Sequence, residues 1–75
     1  MTSYRNTDRD SGVAAYELGI GHIDVQFKDR SVYRYTNASA GAANIDTMKR
    51  FAASGNGLNA FINQRVRTSY AARLR

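Results

Sequence analysis

The sequence contains no cysteine, no proline and no tryptophan, and its only histidine is His22. Without cysteine the chain has no disulfide, no thiolate nucleophile and no thiolate ligand for zinc, and one histidine is too few for a histidine-based metal site. We therefore expect no metal and no cofactor. The absence of cysteine also fits a reducing compartment such as the cytoplasm.

Long apolar runs are missing as well. No stretch approaches the roughly 20 apolar residues that a membrane-spanning helix needs, and the N-terminus lacks the apolar segment of a signal peptide. We therefore expect no contact with a membrane. The 75 residues leave room for a single domain. A domain of this size buries only about 60% of the surface that its unfolded chain exposes, so its core is small.

Groups suited to catalysis are scarce. No serine lies in a nucleophile elbow that could work with His22, and the six carboxylates are scattered along the chain rather than paired for acid–base chemistry. Gly19-Ile20-Gly21 lacks the third glycine and the βαβ frame of a dinucleotide-binding motif, and is typical of a turn. These absences predict a protein that is not an enzyme.

Acidic residues are absent from the C-terminal part of the chain. Residues 1–48 hold five basic and six acidic side chains, a net charge of −1, whereas residues 49–75 hold six basic and no acidic ones, a net charge of +6. Solvated protein surfaces usually mix charges of both signs. The asymmetry therefore indicates an anionic partner, although a solvated face that keeps a small domain soluble is the alternative.

Three short segments, residues 13–18, 23–27 and 32–36, have the composition and alternation of β-strands. The residues before them, 1–12, are polar and without periodicity, and we expect them to form a flexible N-terminal arm. A single domain over residues 13–75 follows from this division.

The loop between the second and third strands decides where Tyr33 and Tyr35 lie. A three-residue loop pairs Phe27 with Ser31 and places both tyrosines on the apolar face of the sheet. A two-residue loop pairs Phe27 with Val32 and moves them to the other face, as a platform for stacking on bases. The core placement is favoured, because a small domain without tryptophan needs those rings inside.

Beyond residue 41 the apolar spacing becomes helical. A first helix is predicted to end at Ser54-Gly55, after a flexible link over residues 38–43. A second is predicted from an N-cap at Asn56, with an apolar stripe that continues to Tyr70, where fraying or bending is expected because steps of four residues drift around a straight helix. The predicted fold is α+β, a three-stranded antiparallel meander followed by two helices.

Three pieces of sequence, taken in order, resemble one known family. They are Ile23-Asp24-Val25-Gln26-Phe27 with Val32-Tyr33-Arg34-Tyr35, then Ala53-Ser54-Gly55-Asn56-Gly57, then Phe61-Ile62-Asn63 leading to Val66-Arg67 and Tyr70. The set is similar to the KTSC domain, named for its occurrence at the C-terminus of some lysyl-tRNA synthetases and also found as small stand-alone bacterial and phage proteins. The resemblance covers roughly residues 13–73.

This resemblance implies three strands followed by helices, a suspected role with RNA or other nucleic acid, and a location in a bacterial host or phage-infected cell. The sequence departs from the family at the usual Asp-Gly turn, which is Asp29-Arg30 here. It departs again before the first helix, where Asn37-Ala38-Ser39 replaces Val-Pro.

The candidate binding residues are mainly the basic residues of the C-terminal part. Backbone N–H groups at Gly55-Asn56-Gly57 can hold a phosphate at a helix N-terminus, but a C-cap glycine followed by a joint is the favoured interpretation. The full set predicted for nucleic-acid or anion binding is Arg34, Lys49, Arg50, Gly57, Arg65, Arg67, Tyr70, Arg73 and Arg75.

The predicted function is a small non-catalytic module that binds RNA or single-stranded nucleic acid through a basic C-terminal helix and tail. Two alternatives stay open. One is a phage-type adaptor or inhibitor that binds an acidic surface of a host protein. The other is a homo-oligomer that sequesters a phosphorylated small ligand.

Overall fold

An antiparallel five-stranded sheet carries the fold, in a computed structural model that describes residues 1–6 and 12–75. Neighbouring strands in the sheet follow chain order. The strands are β1 (Thr2–Ser3), β2 (Val13–Gly19), β3 (His22–Phe27), β4 (Val32–Thr36) and β5 (Ala72–Arg73). The predicted α+β class is therefore confirmed, but the count of three strands is wrong.

Helices connect β4 to β5. They are α1 (Asn37–Ala40), α2 (Ala42–Ser54) and α3 (Leu58–Phe61), which continues directly into a π-helical segment (Ile62–Val66). Among the described residues, no helix has the length and apolar character needed to cross a membrane.

The two extra strands lie at the edges of the sheet. Each has two residues, too few for an alternating pattern to be visible in the sequence. β1 comes from the predicted N-terminal arm, where Thr2 pairs with Tyr16 of β2. Residues 7–11 of that arm lie outside the described residues.

Tyr4 ties the arm to the helices. Its side chain belongs to the core and is only 6% exposed. Its hydroxyl accepts a hydrogen bond of 3.2 Å from the backbone N–H of Leu58, the first residue of α3. That N–H has no partner within a helix. Tyr4 therefore caps the N-terminus of α3.

The loop between β3 and β4 has three residues, as the favoured interpretation predicts. The N–H of Phe27 donates to the carbonyl of Ser31 at 2.9 Å, and Val25 and Ile23 pair with Tyr33 and Tyr35. Tyr35 is 2% exposed in the core, and Tyr33 is half-buried against it. The stacking platform on the opposite face is excluded by this register.

The helices cover the same face of the sheet as these tyrosines. The core combines apolar side chains from β2, β3 and β4 with one side of α2, α3 and the π-helical segment; its largest fully buried members are Tyr35, Ile23, Ile45, Met48, Leu58, Val13, Val25 and Val66. The apolar stripe predicted for the first helix is confirmed, whereas the stripe predicted for the second is buried only as far as Val66, since Tyr70 is exposed.

The first predicted helix is confirmed as α2, which ends at Ser54 before Gly55 in the left-handed conformation. The second differs from its prediction. It follows Gly57 rather than an N-cap at Asn56, and its helical winding ends at Val66 rather than reaching Tyr70. The chain forms β5 where fraying or bending was expected. The segment winds more loosely from Ile62 onward, because a π-helix bonds residues five apart.

The π-helical segment still contributes to the core. Ile62 and Val66 lie four residues apart in it and are both buried. This spacing places both side chains on the side of the segment that faces the sheet.

The small-residue link predicted over residues 38–43 is also more ordered than expected. The hydroxyl of Thr36 accepts a hydrogen bond from the N–H of Ser39, and the hydroxyl of Ser39 accepts one from the N–H of Thr36, each at 3.0 Å. This capping box starts α1 directly at the end of β4.

The β3–β4 loop contains a strained position that a substitution can relieve. Arg30 has φ of 73°, a left-handed conformation that costs a residue other than glycine about 1–2 kcal/mol. Arg30→Gly is expected to raise the free energy of unfolding by about 1 kcal/mol, part of the relief being offset by the greater entropy of unfolded glycine. Urea unfolding followed by circular dichroism measures it.

Lys28→Gly is the matched control in the same loop. Lys28 lacks a positive φ, so glycine there should lower the free energy of unfolding by about 0.5–1 kcal/mol. Equal effects of the two substitutions would contradict the strain at Arg30.

Tyr35 makes the fold sensitive to alkali. Burial, reinforced by the neighbouring Tyr33 and Tyr70, raises the pKa of Tyr35 to about 12. A tyrosine in the unfolded chain ionises near pH 10, so the unfolded state is favoured increasingly between pH 10 and pH 12, and the folded state should lose about 2 kcal/mol of stability over that interval. Urea unfolding at pH 8, 10, 11 and 12 measures the loss.

Tyr35→Phe keeps the ring and removes the ionisable hydroxyl. Its stability should fall less between pH 10 and pH 12 than that of the original protein. An identical fall in both proteins would show that other groups cause the alkaline unfolding.

Candidate nucleic-acid interface

A groove of about 570 Å³ lies between the β3–β4 loop and the segment that follows α3. We call it the tyrosine groove. The residues that give it its chemistry are Lys28, Asp29, Tyr33, Asn63, Arg67 and Tyr70. They come from three separate parts of the chain, which the register of the β3–β4 hairpin and the return of the chain to β5 bring together.

Tyr70 is the exposed aromatic residue of this groove. Its side chain is 42% exposed, whereas every other aromatic residue of the described chain is buried or half-buried. Its ring centroid lies 4.8 Å from that of Tyr33 and 6.4 Å from that of Tyr35, with interplanar angles of 71° and 82°. These edge-to-face contacts brace the ring and leave part of it open to solvent.

The backbone on both sides of Tyr70 is held as well. The N–H of Ser69 donates to the carbonyl of Val66 at 2.9 Å, and the N–H of Ala71 donates to the carbonyl of Arg34 at 2.6 Å. A ring fixed in this way loses little conformational entropy when a ligand binds.

Three cations accompany the aromatic rings. Lys28 and Arg67 line the groove, and both are exposed. Arg73 pairs with Tyr33 between β5 and β4, and its guanidinium carbon lies 5.6 Å from the centroid of the Tyr33 ring. The Nε–H of Arg73 also donates to the carbonyl of Arg75 at 2.7 Å. The arrangement offers positive charge around an aromatic surface.

Asp29 is the acidic residue of the groove. Its Oδ1 accepts hydrogen bonds from the N–H of Ser31 at 2.9 Å and from the hydroxyl of Ser31 at 2.5 Å. These bonds, helped by the positive charge of Arg73, lower the pKa of Asp29 below its usual value. The carboxylate therefore stays ionised at neutral pH.

Arg34 does not belong to the groove. It donates from Nε and Nη2 to the two carboxylate oxygens of Asp24, at 2.8 and 3.0 Å, and these bonds raise the pKa of the guanidinium. Asp24 is 3% exposed and lies on the face of the sheet opposite the helices. Arg34 thus neutralises a buried carboxylate, and the prediction that it extends a binding patch is not supported by its position.

Lys49 and Arg50 of α2 lie outside the groove too. The Nζ of Lys49 donates to the carbonyl of Gly19 at 2.8 Å, which fastens the β2–β3 turn to the helix. Arg50 is exposed, and its Nη2 donates a hydrogen bond of 3.4 Å to the hydroxyl of Thr47.

Gly57 occupies a structural position. It precedes α3 with φ of 88°, and a Cβ atom there would lie 3.5 Å from the ring of Phe51. The N–H of Leu58 that follows it donates to Tyr4, and α3 has only four residues. The joint interpretation of this glycine segment therefore fits better than a phosphate site.

The remaining predicted arginines line two other cavities. Arg65 borders one of about 380 Å³ beside Phe51 and Phe61. Arg75 borders a cavity of about 670 Å³ on the other face of the sheet. Glu17 and Asp24 line the same cavity, and their negative charges disfavour the binding of an anion there. The nine predicted residues therefore do not form one patch: Arg67 and Tyr70 share the groove, and Arg73 adjoins it.

The sequence analysis missed Lys28, Asp29 and Asn63 as site residues. The predicted three-residue loop could have pointed to Lys28 and Asp29, because the register that places Tyr33 on the helical face of the sheet also places this loop beside Tyr33.

Among the described residues, no group of three potential metal ligands lies close together. No protein-family model, curated protein or solved structure gives a significant match to this chain.

The Asp24–Arg34 pair predicts unequal effects of two substitutions. Arg34→Met leaves the buried carboxylate of Asp24 without a counter-charge, whereas Asp24→Asn leaves a guanidinium that water can reach. Arg34→Met should therefore lower the midpoint of urea unfolding more than Asp24→Asn does. Arg50→Met, at an exposed position, is the control and should change it little; a smaller effect of Arg34→Met than of Asp24→Asn would contradict the burial of the carboxylate.

Proposed function

We propose that this protein is a non-catalytic module that binds RNA or single-stranded nucleic acid in the tyrosine groove. One observation carries the proposal: the exposed aromatic ring of the described chain, Tyr70, shares a groove with Lys28 and Arg67 and lies near Arg73. An aromatic ring in a basic groove is the usual means of binding single strands, because bases stack on the ring while cations contact the phosphates.

The charge of the groove supports this use. Within the described residues neither Arg67 nor Arg73 forms a salt bridge, so neither guanidinium is directly paired with a carboxylate. The acidic Asp29 is outnumbered by these two arginines and Lys28. The potential around Tyr70 is therefore positive, which attracts a polyanion and raises its association rate.

The exposed ring of Tyr70 favours unpaired nucleic acid as the ligand. Tyr70 reaches a base only through the face of the base, and in a duplex that face is covered by the neighbouring base pairs. Single strands, loops and ends present unstacked bases that a tyrosine can contact. Stacking of one base on an aromatic side chain contributes about 1–3 kcal/mol.

The resemblance to the KTSC domain points the same way, since that family's occurrence in lysyl-tRNA synthetases implies a suspected role with RNA. The resemblance also implies that the protein acts in a bacterial host or a phage-infected cell, and this location is part of the proposal. The proposed binding surface differs from the one expected from the sequence. The sequence pointed to a basic C-terminal helix and its tail, whereas the proposal uses the groove between the β3–β4 loop and the segment that follows α3.

Fluorescence anisotropy with a labelled single-stranded RNA of 12 nucleotides tests the proposal. If about three phosphates are neutralised, log affinity should fall against log salt with a slope of about −2. Tyr70→Ala should weaken binding about tenfold through lost stacking, and Arg67→Gln should weaken it and make the slope shallower.

Two variants serve as controls. Tyr70→Phe keeps the ring and should retain most of the affinity. Arg50→Gln removes the same charge as Arg67→Gln from a site away from the groove, and should change affinity less. Absence of binding at 50 mM salt would overturn the proposed function, and equal effects of Arg67→Gln and Arg50→Gln would overturn the groove as its site.

A further inference from the structure

A carboxylate in an otherwise basic groove needs an explanation. Asp29 lines the same groove as Tyr70 and Arg67, where a phosphate would be repelled by it. Its turn contacts with Ser31 account for one of its two oxygens only, because both hydrogen bonds go to Oδ1. Oδ2 accepts no hydrogen bond from any other described residue, so this oxygen is available to a ligand.

The available oxygen is a strong and purely accepting group. An ionised carboxylate donates no hydrogen bond, and it accepts from N–H groups more strongly than a neutral oxygen does. The lowered pKa of Asp29 keeps it in that state at neutral pH. The Asx-type contact to Ser31 also fixes its position beside the loop.

We propose that Asp29 selects the base that stacks on Tyr70, by accepting a hydrogen bond from an exocyclic amino group. The inference rests on the proposed nucleic-acid function of the groove and names its ligand more closely: an unpaired nucleotide whose base carries an amino group. Lys28 and Arg67 hold the adjoining phosphates, so the carboxylate meets the base and not the backbone.

Cytosine and uracil make the sharpest comparison. They have the same ring and therefore similar shape, but cytosine presents an amino donor at C4 where uracil presents a carbonyl acceptor. A carboxylate gains a hydrogen bond with cytosine and faces a second acceptor in uracil. A net hydrogen bond of about 1 kcal/mol corresponds to about a fivefold difference in affinity.

The test compares labelled oligocytidylate and oligouridylate of eight nucleotides in the same anisotropy assay at 50 mM salt. The original protein should bind oligocytidylate about fivefold more tightly. Asp29→Asn keeps an oxygen for the bonds from Ser31 and replaces the other with an amide NH₂ donor, so the preference should vanish or turn towards uracil.

Asp46→Asn is the matched control, since it removes the same charge from an exposed position on α2. It should leave the preference for oligocytidylate unchanged, and urea unfolding of both variants shows that they are folded. Equal binding of the two oligonucleotides by the original protein, or an unchanged preference in Asp29→Asn, would overturn the role of Asp29 while leaving nucleic-acid binding intact. Binding of neither oligonucleotide would overturn the proposed function as well.

Discussion

The three-residue loop between β3 and β4 is the constraint on which the rest of the structure depends. Because a slip by one residue moves every side chain of a strand to the other face, this loop assigns a role to each residue of β4. It directs Tyr35 into the core and Tyr33 towards the groove, and it places Arg34 opposite Asp24 on the other face. The chain accepts a left-handed Arg30 to keep that register.

Sequence patterns predicted the parts of the fold that repeat over several residues. The bounds of α2 follow from helical spacing and from the glycine that ends it, both of which are local. The register of the hairpin needed one further argument, that a small domain requires its tyrosine rings in the core. The two-residue strands β1 and β5 carry no such signal, since their pairing depends on where distant segments lie. The end of the second helix was misplaced as well, because the apolar spacing of Ile62, Val66 and Tyr70 does not reveal that the winding becomes π-helical and stops at Val66.

Charge counting located the basic C-terminal third of the chain but not the residues that line the tyrosine groove. The count could not show that Arg34 is paired with the buried carboxylate of Asp24 or that Lys49 donates a hydrogen bond to the β2–β3 turn. Nor could it point to Asp29, an acidic residue in a basic groove, because Asp29 and Tyr70 are 41 residues apart and meet only in the folded chain. A site assembled from three segments becomes visible only when the register that joins them is known.

The bond between Tyr4 and Leu58 has a consequence for the order in which the domain is completed. It joins residues 54 positions apart, and such distant contacts slow folding because a long loop must close first. During synthesis Leu58 is made 54 residues after Tyr4, so the bond cannot form until the strands between them have been made. The hairpin can form while translation continues, whereas the cap on α3 and the return of β5 must wait. The groove is therefore completed only after the segment that carries Tyr70 has been made, well after the hairpin that forms its other side.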